Sequence, residues 1–149
     1  MQRDANEKRA KQIDMMDPTP EENKLFLQEN KKKKDIVELP SGLQYKVIKQ
    51  GTGPKPTAEN NVSVHYTGTL VNGKIFSSSF ETGRTFCIKV KDAIAGWTEA
   101  LQLMPAGSKW MLYVPAALAY ENHTADGTIP RNSVLIFEIE LLNIQADPK

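Results

Sequence analysis

The stretch that decides the fold is a short amphipathic segment, Asp92-Ala93-Ile94-Ala95-Gly96-Trp97-Thr98-Glu99-Ala100-Leu101-Gln102-Leu103-Met104. Trp97, Leu101 and Met104 follow one another at i, i+4 and i+7, which places them on one apolar stripe of a helix. Thr98, Glu99 and Gln102 lie off that stripe. Because strand-like sequence stands on both sides of the segment, we predict that this helix fills the concave face of a β-sheet. Trp97 is expected at the bottom of the hollow.

Alternating apolar and polar residues predict strands around this helix. The predicted strands are 43–47, 62–67, 74–80, 86–90, 109–114 and 133–144. In the first of them Leu43, Tyr45 and Val47 are expected on the buried side, and Gln44 and Lys46 on the other. One face of the last strand carries Leu135, Phe137, Ile139 and Leu141.

The turns between these strands are short, and Asn72-Gly73 favours a type I′ hairpin turn. Residues 121–131 form a polar segment without a helix or strand signal, long enough to suggest a functional loop. Successive strands with short turns and one helix predict the α+β class. The predicted architecture is an antiparallel sheet curled around the short helix and preceded by a helical arm.

The N-terminal part of the chain differs in composition from the rest, since residues 2–38 contain no glycine and only one aromatic residue, Phe26. Thr19-Pro20-Glu21-Glu22 has the pattern of a capping box with proline in the first turn. It predicts a helix from about Pro20 to Asp35, and a further helix is expected before Met15. The chain therefore divides into a charged helical arm and linker, 1–38, and a domain, 39–149.

The predicted arm has few apolar residues to bury, because Leu25, Phe26 and Leu27 are adjacent rather than spaced along one face. Such a helix docks on the domain, pairs with another chain, or frays. Lys31–Lys34 is expected in its last turns, where cations complement the helix dipole. We expect a chain that begins near Ile36 to fold and keep its activity.

Composition excludes several classes of function. The net charge is +1, and 40% of residues are hydrophobic, as in soluble globular proteins. We therefore expect no nucleic-acid partner and no membrane partner, and no apolar run reaches transmembrane length. The single cysteine, Cys87, fits a reducing compartment. The expected location is cytoplasmic if the chain is complete, and periplasmic or secreted if a signal peptide has been removed.

The sequence offers no combination of residues typical of metal-dependent or nucleophilic catalysis. His65 and His123 have no cysteine ligands near them in sequence, so no metal site is predicted. Ser77-Ser78-Ser79 lacks the Gly-x-Ser-x-Gly pattern of a nucleophile elbow. His65 alternates with Val64 and Tyr66, so it is expected on the opposite face of its strand. We expect neither a metal nor a cofactor.

Several blocks of sequence carry a family resemblance. They are His65-Tyr66-Thr67-Gly68, Gly73-Lys74-Ile75-Phe76-Ser77-Ser78-Ser79, Ile94-Ala95-Gly96-Trp97, Leu118-Ala119-Tyr120, and Ile129-Pro130 followed by Leu135–Leu142. In order and spacing they resemble the FKBP family of peptidyl-prolyl cis-trans isomerases, which also bind the macrolides tacrolimus and rapamycin. The resemblance spans about Leu43 to Ile144. Leu39–Tyr45 behind a charged arm further resembles the Mip-like (macrophage infectivity potentiator) branch, which often dimerises through a helical extension.

The resemblance implies a pocket for proline with Trp97 as its floor. The residues it implies for binding of substrate or macrolide are Tyr66, Phe76, Phe86, Ile88, Ala93, Ile94, Trp97, Tyr120, Ile129 and Phe137. Those it implies for catalysis are Tyr66, Phe76, Ser77, Trp97, Tyr120 and Phe137. It also implies that the N–H of Ile94 and the hydroxyl of Tyr120 bind ligand carbonyls.

This chain departs from the family pattern within the implied pocket. Ser77 stands where the family usually has aspartate, Glu121 where it has glycine, and Arg131 where it has a second proline. Ile88 replaces a wall residue that is often aromatic. These changes affect the electrostatics and loop shape of the pocket rather than the fold.

The resemblance implies an isomerase that rotates X-Pro bonds in polypeptides, assists protein folding and needs no cofactor. The alternative is a module that binds prolyl segments or macrolides, or a chaperone, with weak turnover. The expected partners are proline-containing polypeptides and macrolide inhibitors, and a homodimer through the arm stays open.

Overall fold

The computed structural model describes residues 18–79, 83–119 and 133–145, which form a seven-stranded antiparallel sheet and two α-helices. The helices are α1 (Pro20–Asn30) and α2 (Ala95–Leu101). The strands are β1 (Val37–Glu38), β2 (Gln44–Lys49), β3 (Asn61–Thr69), β4 (Ile75–Ser78), β5 (Phe86–Lys89), β6 (Lys109–Val114) and β7 (Leu135–Gln145). Short 3₁₀ turns lie at Val90–Asp92 and Ala116–Leu118. The predicted α+β class is confirmed.

The strands follow the order β1-β2-β6-β7-β3-β4, and β5 pairs with the same edge of β3 as β4 does, one strand length further along. β3 and β7 form the longest strand pair of the sheet, and each is also paired along its other edge. The face that β7 turns to the core carries Leu135, Phe137, Ile139 and Leu141, all buried as predicted. Complete burial of one such side chain contributes about 1.5–3 kcal/mol.

Helix α2 packs on the concave face of the sheet, and Trp97, Leu101 and Met104 are buried there as predicted. The helix itself is shorter than the predicted segment, because a 3₁₀ turn precedes it and Met104 lies beyond its last residue. Pro105 disfavours the helical conformation at Met104, the residue directly before it, so the helix does not extend through the whole predicted segment.

Helix α1 begins as the sequence predicts. The Thr19 hydroxyl accepts a hydrogen bond from the Glu22 N–H, and the Glu22 carboxylate accepts one from the Thr19 N–H. The predicted end at Asp35 is wrong, because the helix ends at Asn30 and Lys31–Lys34 lie in turns after it. In the last turn the Leu27 carbonyl accepts both the Lys31 N–H and the Gln44 Nε2, the latter at 3.1 Å, so the end of the helix is tied to β2.

Gln44 and Val47 contradict the predicted alternation of β2, because Gln44 is 1% exposed while Val47 is exposed. Gln44 pairs across the sheet with Tyr113, and the neighbouring pair is Tyr45 with Leu112. Since paired residues share a face and successive residues alternate, Gln44 and Tyr113 lie on the face opposite Leu112 and the core. Helix α1 covers that convex face, so the glutamine is buried by the arm.

The predicted hairpin at Asn72-Gly73 is present, but its turn is not the two-residue type I′ form. The Gly73 N–H donates to the Leu70 carbonyl, and the Leu70 N–H donates to the Lys74 carbonyl. The loop therefore has three residues, and Gly73 adopts φ +91°, a conformation that favours glycine.

Some predictions fall outside the described residues: the helix before Met15, the turn around Glu81 and the loop 121–131. Within the described ranges no helix has the length and apolar character needed to cross a membrane.

Candidate active site

A cluster of aromatic rings surrounds Trp97 on the concave face of the sheet. The ring centroids of Tyr66 and Phe137 each lie 5.2 Å from that of Trp97, and the Phe86 ring lies 6.2 Å away. All three meet the indole edge-to-face, with interplanar angles near 80°. Phe76 extends the cluster through Phe137 at 5.7 Å. Edge-to-face contacts are the geometry that aromatic quadrupoles favour.

The sheet register brings these rings together from separate strands. Phe137 in β7 pairs with Gly68 in β3, two residues beyond Tyr66 on the same face. Gly68 is needed there because a Cβ would lie 2.6 Å from the Phe76 ring and 2.9 Å from the Phe137 ring. The glycine of the His-Tyr-Thr-Gly block thus makes room for two rings.

Trp97 is held at the base of the cluster by the packing of α2. Gly96 lets the helix approach β6, since a Cβ there would lie 2.6 Å from Val114. The Thr98 hydroxyl donates to the Val90 carbonyl at 2.8 Å, which ties the helix to the preceding 3₁₀ turn. Ser41 donates to the Glu99 carboxylate at 2.6 Å and anchors the other side.

The cluster opens towards solvent at one end. Trp97 is 4% exposed and Phe137 equally little, Tyr66 and Phe76 are half-buried, and Phe86 is 38% exposed. The half-buried residues Ile88, Ala93 and Ile94 pack against the same core. The arrangement is an apolar surface with a buried floor and an exposed rim.

Polar groups are sparse in the cluster. The hydroxyls of Tyr66 and Ser77 share a hydrogen bond of 2.7 Å. The indole N–H of Trp97 is buried and has no acceptor among the described residues, so rings rather than hydrogen bonds hold the side chain. Ile94 is the N-cap of α2, and its N–H has no partner in the described part of the chain. That N–H is the donor that the family resemblance assigns to a ligand carbonyl.

Among the described residues, the ionisable groups with a shifted pKa are Lys109 and Tyr113, which lie on β6 outside the ring cluster. The hydrogen bond that Lys109 donates to the Glu138 carboxylate raises the pKa of Lys109, and burial raises the pKa of Tyr113. His65 is hydrogen-bonded to Ser79 at 2.8 Å. Within the described ranges no group of His, Cys, Asp and Glu is placed to hold a metal ion. The chemistry that this arrangement supports is the binding of an apolar ring in a dry environment.

Most of the predicted site residues lie in the ring cluster or pack against the hydrophobic core beside it. Tyr120 and Ile129 lie outside the described residues. Their individual roles stay predictions. Sequence reasoning did not assign a role to Gly68, although a glycine in a strand interior is a sign of close approach by other groups.

Residues 53–142 match the family described as FKBP-type peptidyl-prolyl cis-trans isomerase. The chain belongs to this FKBP family. Residues 1–47 match the region described as the domain amino terminal to FKBP-type peptidyl-prolyl isomerase. The family resemblance inferred from the sequence blocks is confirmed.

The relatives of this FKBP chain include bacterial proteins of the predicted branch. The outer membrane protein MIP of Legionella longbeachae is 51% identical over 129 residues, 84% of this chain and 55% of that protein. The FKBP-type isomerase FkpA of Aeromonas hydrophila is 49% identical over 120 residues, 80% of this chain and 44% of that protein. The crystal structure of FkpA from Escherichia coli matches with a TM-score of 0.84 at 34% identity, covering 94% of this chain and 65% of that one. The chain thus spans about half the length of the curated relatives it matches.

Proposed function

We propose that this FKBP protein catalyses the cis-trans isomerisation of X-Pro peptide bonds in polypeptides and so assists protein folding. The observation that carries the proposal is the ring cluster of Tyr66, Phe76, Phe86 and Phe137 around the buried Trp97. Membership of the FKBP family supports it independently.

The reaction requires an environment rather than a nucleophile. Rotation about a peptide bond meets a barrier of about 18–20 kcal/mol, because resonance gives the C–N bond partial double-bond character. Water stabilises the planar, charge-separated amide by hydrogen bonding to its carbonyl. An apolar pocket removes this solvation and favours the twisted amide, in which the charge separation is lost. Lowering the barrier by about 4 kcal/mol accelerates the reaction roughly a thousandfold.

The described residues supply the parts of such a pocket. Trp97 and Phe137 offer a dry floor for the proline ring, and Phe86 stands at the rim where a chain would enter. The Ile94 N–H is available to fix a carbonyl of the substrate beside the rotating bond. With that substrate carbonyl held in place, the group on the other side of the X-Pro bond can rotate.

The decisive experiment is a protease-free isomerisation assay on short Xaa-Pro peptides, with matched tryptophan variants. The wild type is expected to accelerate the cis-to-trans conversion, and Trp97→Leu to lose most of this rate. Trp110→Leu is the control, because Trp110 is equally buried but stacks on Tyr45 outside the cluster at 4.3 Å. A folded wild type without acceleration would refute the proposal.

A binding module with weak turnover is the second candidate, and Ser77 is the observation that favours it. The serine gives Tyr66 a neutral hydrogen-bond partner where the family usually has a carboxylate. Charge-assisted hydrogen bonds are stronger than neutral ones, so a neutral partner orients the tyrosine less firmly. Tight rapamycin binding together with negligible isomerisation would select this candidate.

We also propose that the arm can form a homodimer. Leu25 is 54% exposed on α1 and lines a groove of about 300 Å³ together with Pro18, Phe26 and Val71. Glu22, Glu29 and Asn72 also line the groove, so its apolar residues have a polar rim, and an apolar patch with a polar rim is the usual character of a contact surface. Sedimentation of the wild type should show association that Leu25→Glu abolishes. A wild type that stays monomeric at all concentrations would exclude the dimer.

A further inference from the structure

Two buried asparagines fasten α1 to the sheet, one near each end of the helix. Asn23 Oδ1 accepts a hydrogen bond from the Val134 N–H at 2.9 Å, while its Nδ2 donates to the Thr19 carbonyl. Asn30 Nδ2 donates to Gln44 Oε1 at 2.8 Å. The asparagine side chains are only 4% and 2% exposed. Asn23 contacts a donor, the Val134 N–H, through its oxygen and an acceptor, the Thr19 carbonyl, through its nitrogen, and this pair of partners fixes the orientation of the amide.

The Asn23 contact falls where β7 enters the sheet. Val134 is buried and directly precedes the paired stretch, which begins with Leu135 opposite Val114. In the described part of the chain no strand residue pairs with Val134, so the asparagine side chain accepts the hydrogen bond that a neighbouring strand would otherwise take. Phe137 follows three residues later and contacts Trp97.

We propose that Asn23 is a positioning residue for the isomerase site, because it fixes the start of β7 and thereby the Phe137 ring against Trp97. This inference rests on the proposed function. A buried N–H without an acceptor is unfavourable, and the backbone relieves it by shifting towards water. A shift at Val134 is transmitted along the strand to Phe137, and small misplacements of a site group reduce the rate strongly.

Asn30 provides a matched comparison. It has the same side chain, the same helix and equal burial, but its hydrogen bond leads to Gln44 in β2. The aromatic cluster takes its rings from β3, β4, β5, β7 and α2. Loss of the Asn30 bond should therefore weaken the contact of α1 with β2, while Asn23 still holds Val134 and the start of β7.

The test uses the full chain with Asn23→Ala, Asn23→Asp and Asn30→Ala. Aspartate keeps an acceptor oxygen for the Val134 N–H but loses the donor to the Thr19 carbonyl, so it should lower Tm while it keeps the contact with β7. Three quantities are measured: kcat/KM on an Xaa-Pro peptide, the hydrogen-exchange rate of the Val134 amide, and Tm.

Asn23→Ala is expected to lower kcat/KM about tenfold and to accelerate exchange at Val134. Asn23→Asp should restore both to within about twofold of the wild type, and Asn30→Ala should lower Tm while leaving kcat/KM within about twofold. Equal losses of rate in the two alanine variants, or an unchanged rate in Asn23→Ala, would overturn the inference alone. A wild type without isomerase activity would instead refute the proposed function.

Discussion

The two faces of the sheet are covered by helices that are held in different ways. On the concave face, Trp97 of α2 contacts aromatic rings at centroid distances of 5.2–6.2 Å. The hydrogen bond between the hydroxyls of Tyr66 and Ser77 is the polar contact at the edge of this ring cluster. On the convex face, α1 is fixed by side-chain amides of Asn23, Asn30 and Gln44. The concave face is apolar enough to bind a ring. The convex face has directional hydrogen bonds that fix α1 relative to β2 and β7.

The difference follows from the physics of each contact. Apolar burial is non-directional and scales with area, so a ring cluster can accept a ligand ring in place of a protein one. Amide hydrogen bonds are directional, and a buried group left without a partner costs about 1–3 kcal/mol. The convex face is therefore suited to holding strands in place, and the concave face to binding.

The largest expected effect on kcat/KM comes from a phenylalanine of the concave face, and a phenylalanine of the convex face serves as its control. Phe137→Leu should lower kcat/KM about a hundredfold, because it removes a ring from the floor of the cluster and admits water. Phe26→Leu, which alters the contact of α1 with Tyr113 at 5.8 Å, should leave kcat/KM within about twofold. Peptide assays and thermal melts of both variants provide the check. Comparable losses of rate would remove the functional distinction between the faces.

Ser77 offers the next largest effect, and in the opposite direction. Ser77→Asp should raise kcat/KM about tenfold, equivalent to about 1.4 kcal/mol of barrier, by giving the Tyr66 hydroxyl a charged acceptor. Ser78→Asp is the control, since Ser78 pairs with Thr67 and points to the other side of β4. An unchanged or lower rate in a well-folded Ser77→Asp protein would show that the pocket has adapted to serine.

The sequence predicted the concave face well because that face obeys simple periodicities. Trp97, Leu101 and Met104 were placed by helical spacing, and Phe137 and its neighbours by strand alternation. The rings of Tyr66 and Phe86 lie against Trp97, and the roles that the family resemblance implies for them stay predictions. Tyr120 and Ile129 stay predictions.

The docking of α1 on the convex face is only one of three alternatives from the sequence, because the stripe that docks is polar at both ends. Asn23, Phe26, Leu27 and Asn30 stand at i, i+3, i+4 and i+7, the spacing of a buried helix face. A search for apolar residues alone finds only Phe26 and Leu27 in this stripe and takes the arm as dispensable. The burial of Gln44 had no local signal, since it depends on a helix that comes earlier in the chain.

Removing the arm tests whether α1 influences the site, and we expect a moderate effect on kcat/KM. A chain that begins at Ile36 is expected to fold, because the main buried cluster contains no residue of α1. Its Tm should fall, and kcat/KM should fall about fivefold. This loss of rate is smaller than the loss expected for Asn23→Ala, because removal of the arm lets water reach and hydrogen-bond the Val134 N–H. An unchanged rate would restore the simpler expectation of an arm without influence on the site. Failure to fold would show that α1 is part of the domain.

The smallest effect on rate is expected at the Asn30–Gln44 pair, where stability is the useful measure. Asn30→Leu and Gln44→Leu should each lower the unfolding free energy by about 1–3 kcal/mol, because each leaves a buried polar partner unsatisfied. The double variant should lose less than the sum, since it removes both polar groups. Urea denaturation gives these values, and kcat/KM should stay within about twofold. Additive losses would mean that the 2.8 Å hydrogen bond does not couple the two residues.

The most direct test of the account is a titration in which one sample reports both binding and catalysis. Rapamycin is added to the wild-type protein while tryptophan emission and the isomerisation rate of an Xaa-Pro peptide are followed together. If the ring cluster around Trp97 is the reaction site, the rate falls to the uncatalysed value in step with the emission change, with one equivalent of macrolide, and Trp97→Leu lacks most of that emission change. Isomerisation that persists after the emission change is complete would contradict it, because the ring cluster around Trp97 would then not be the site of the reaction.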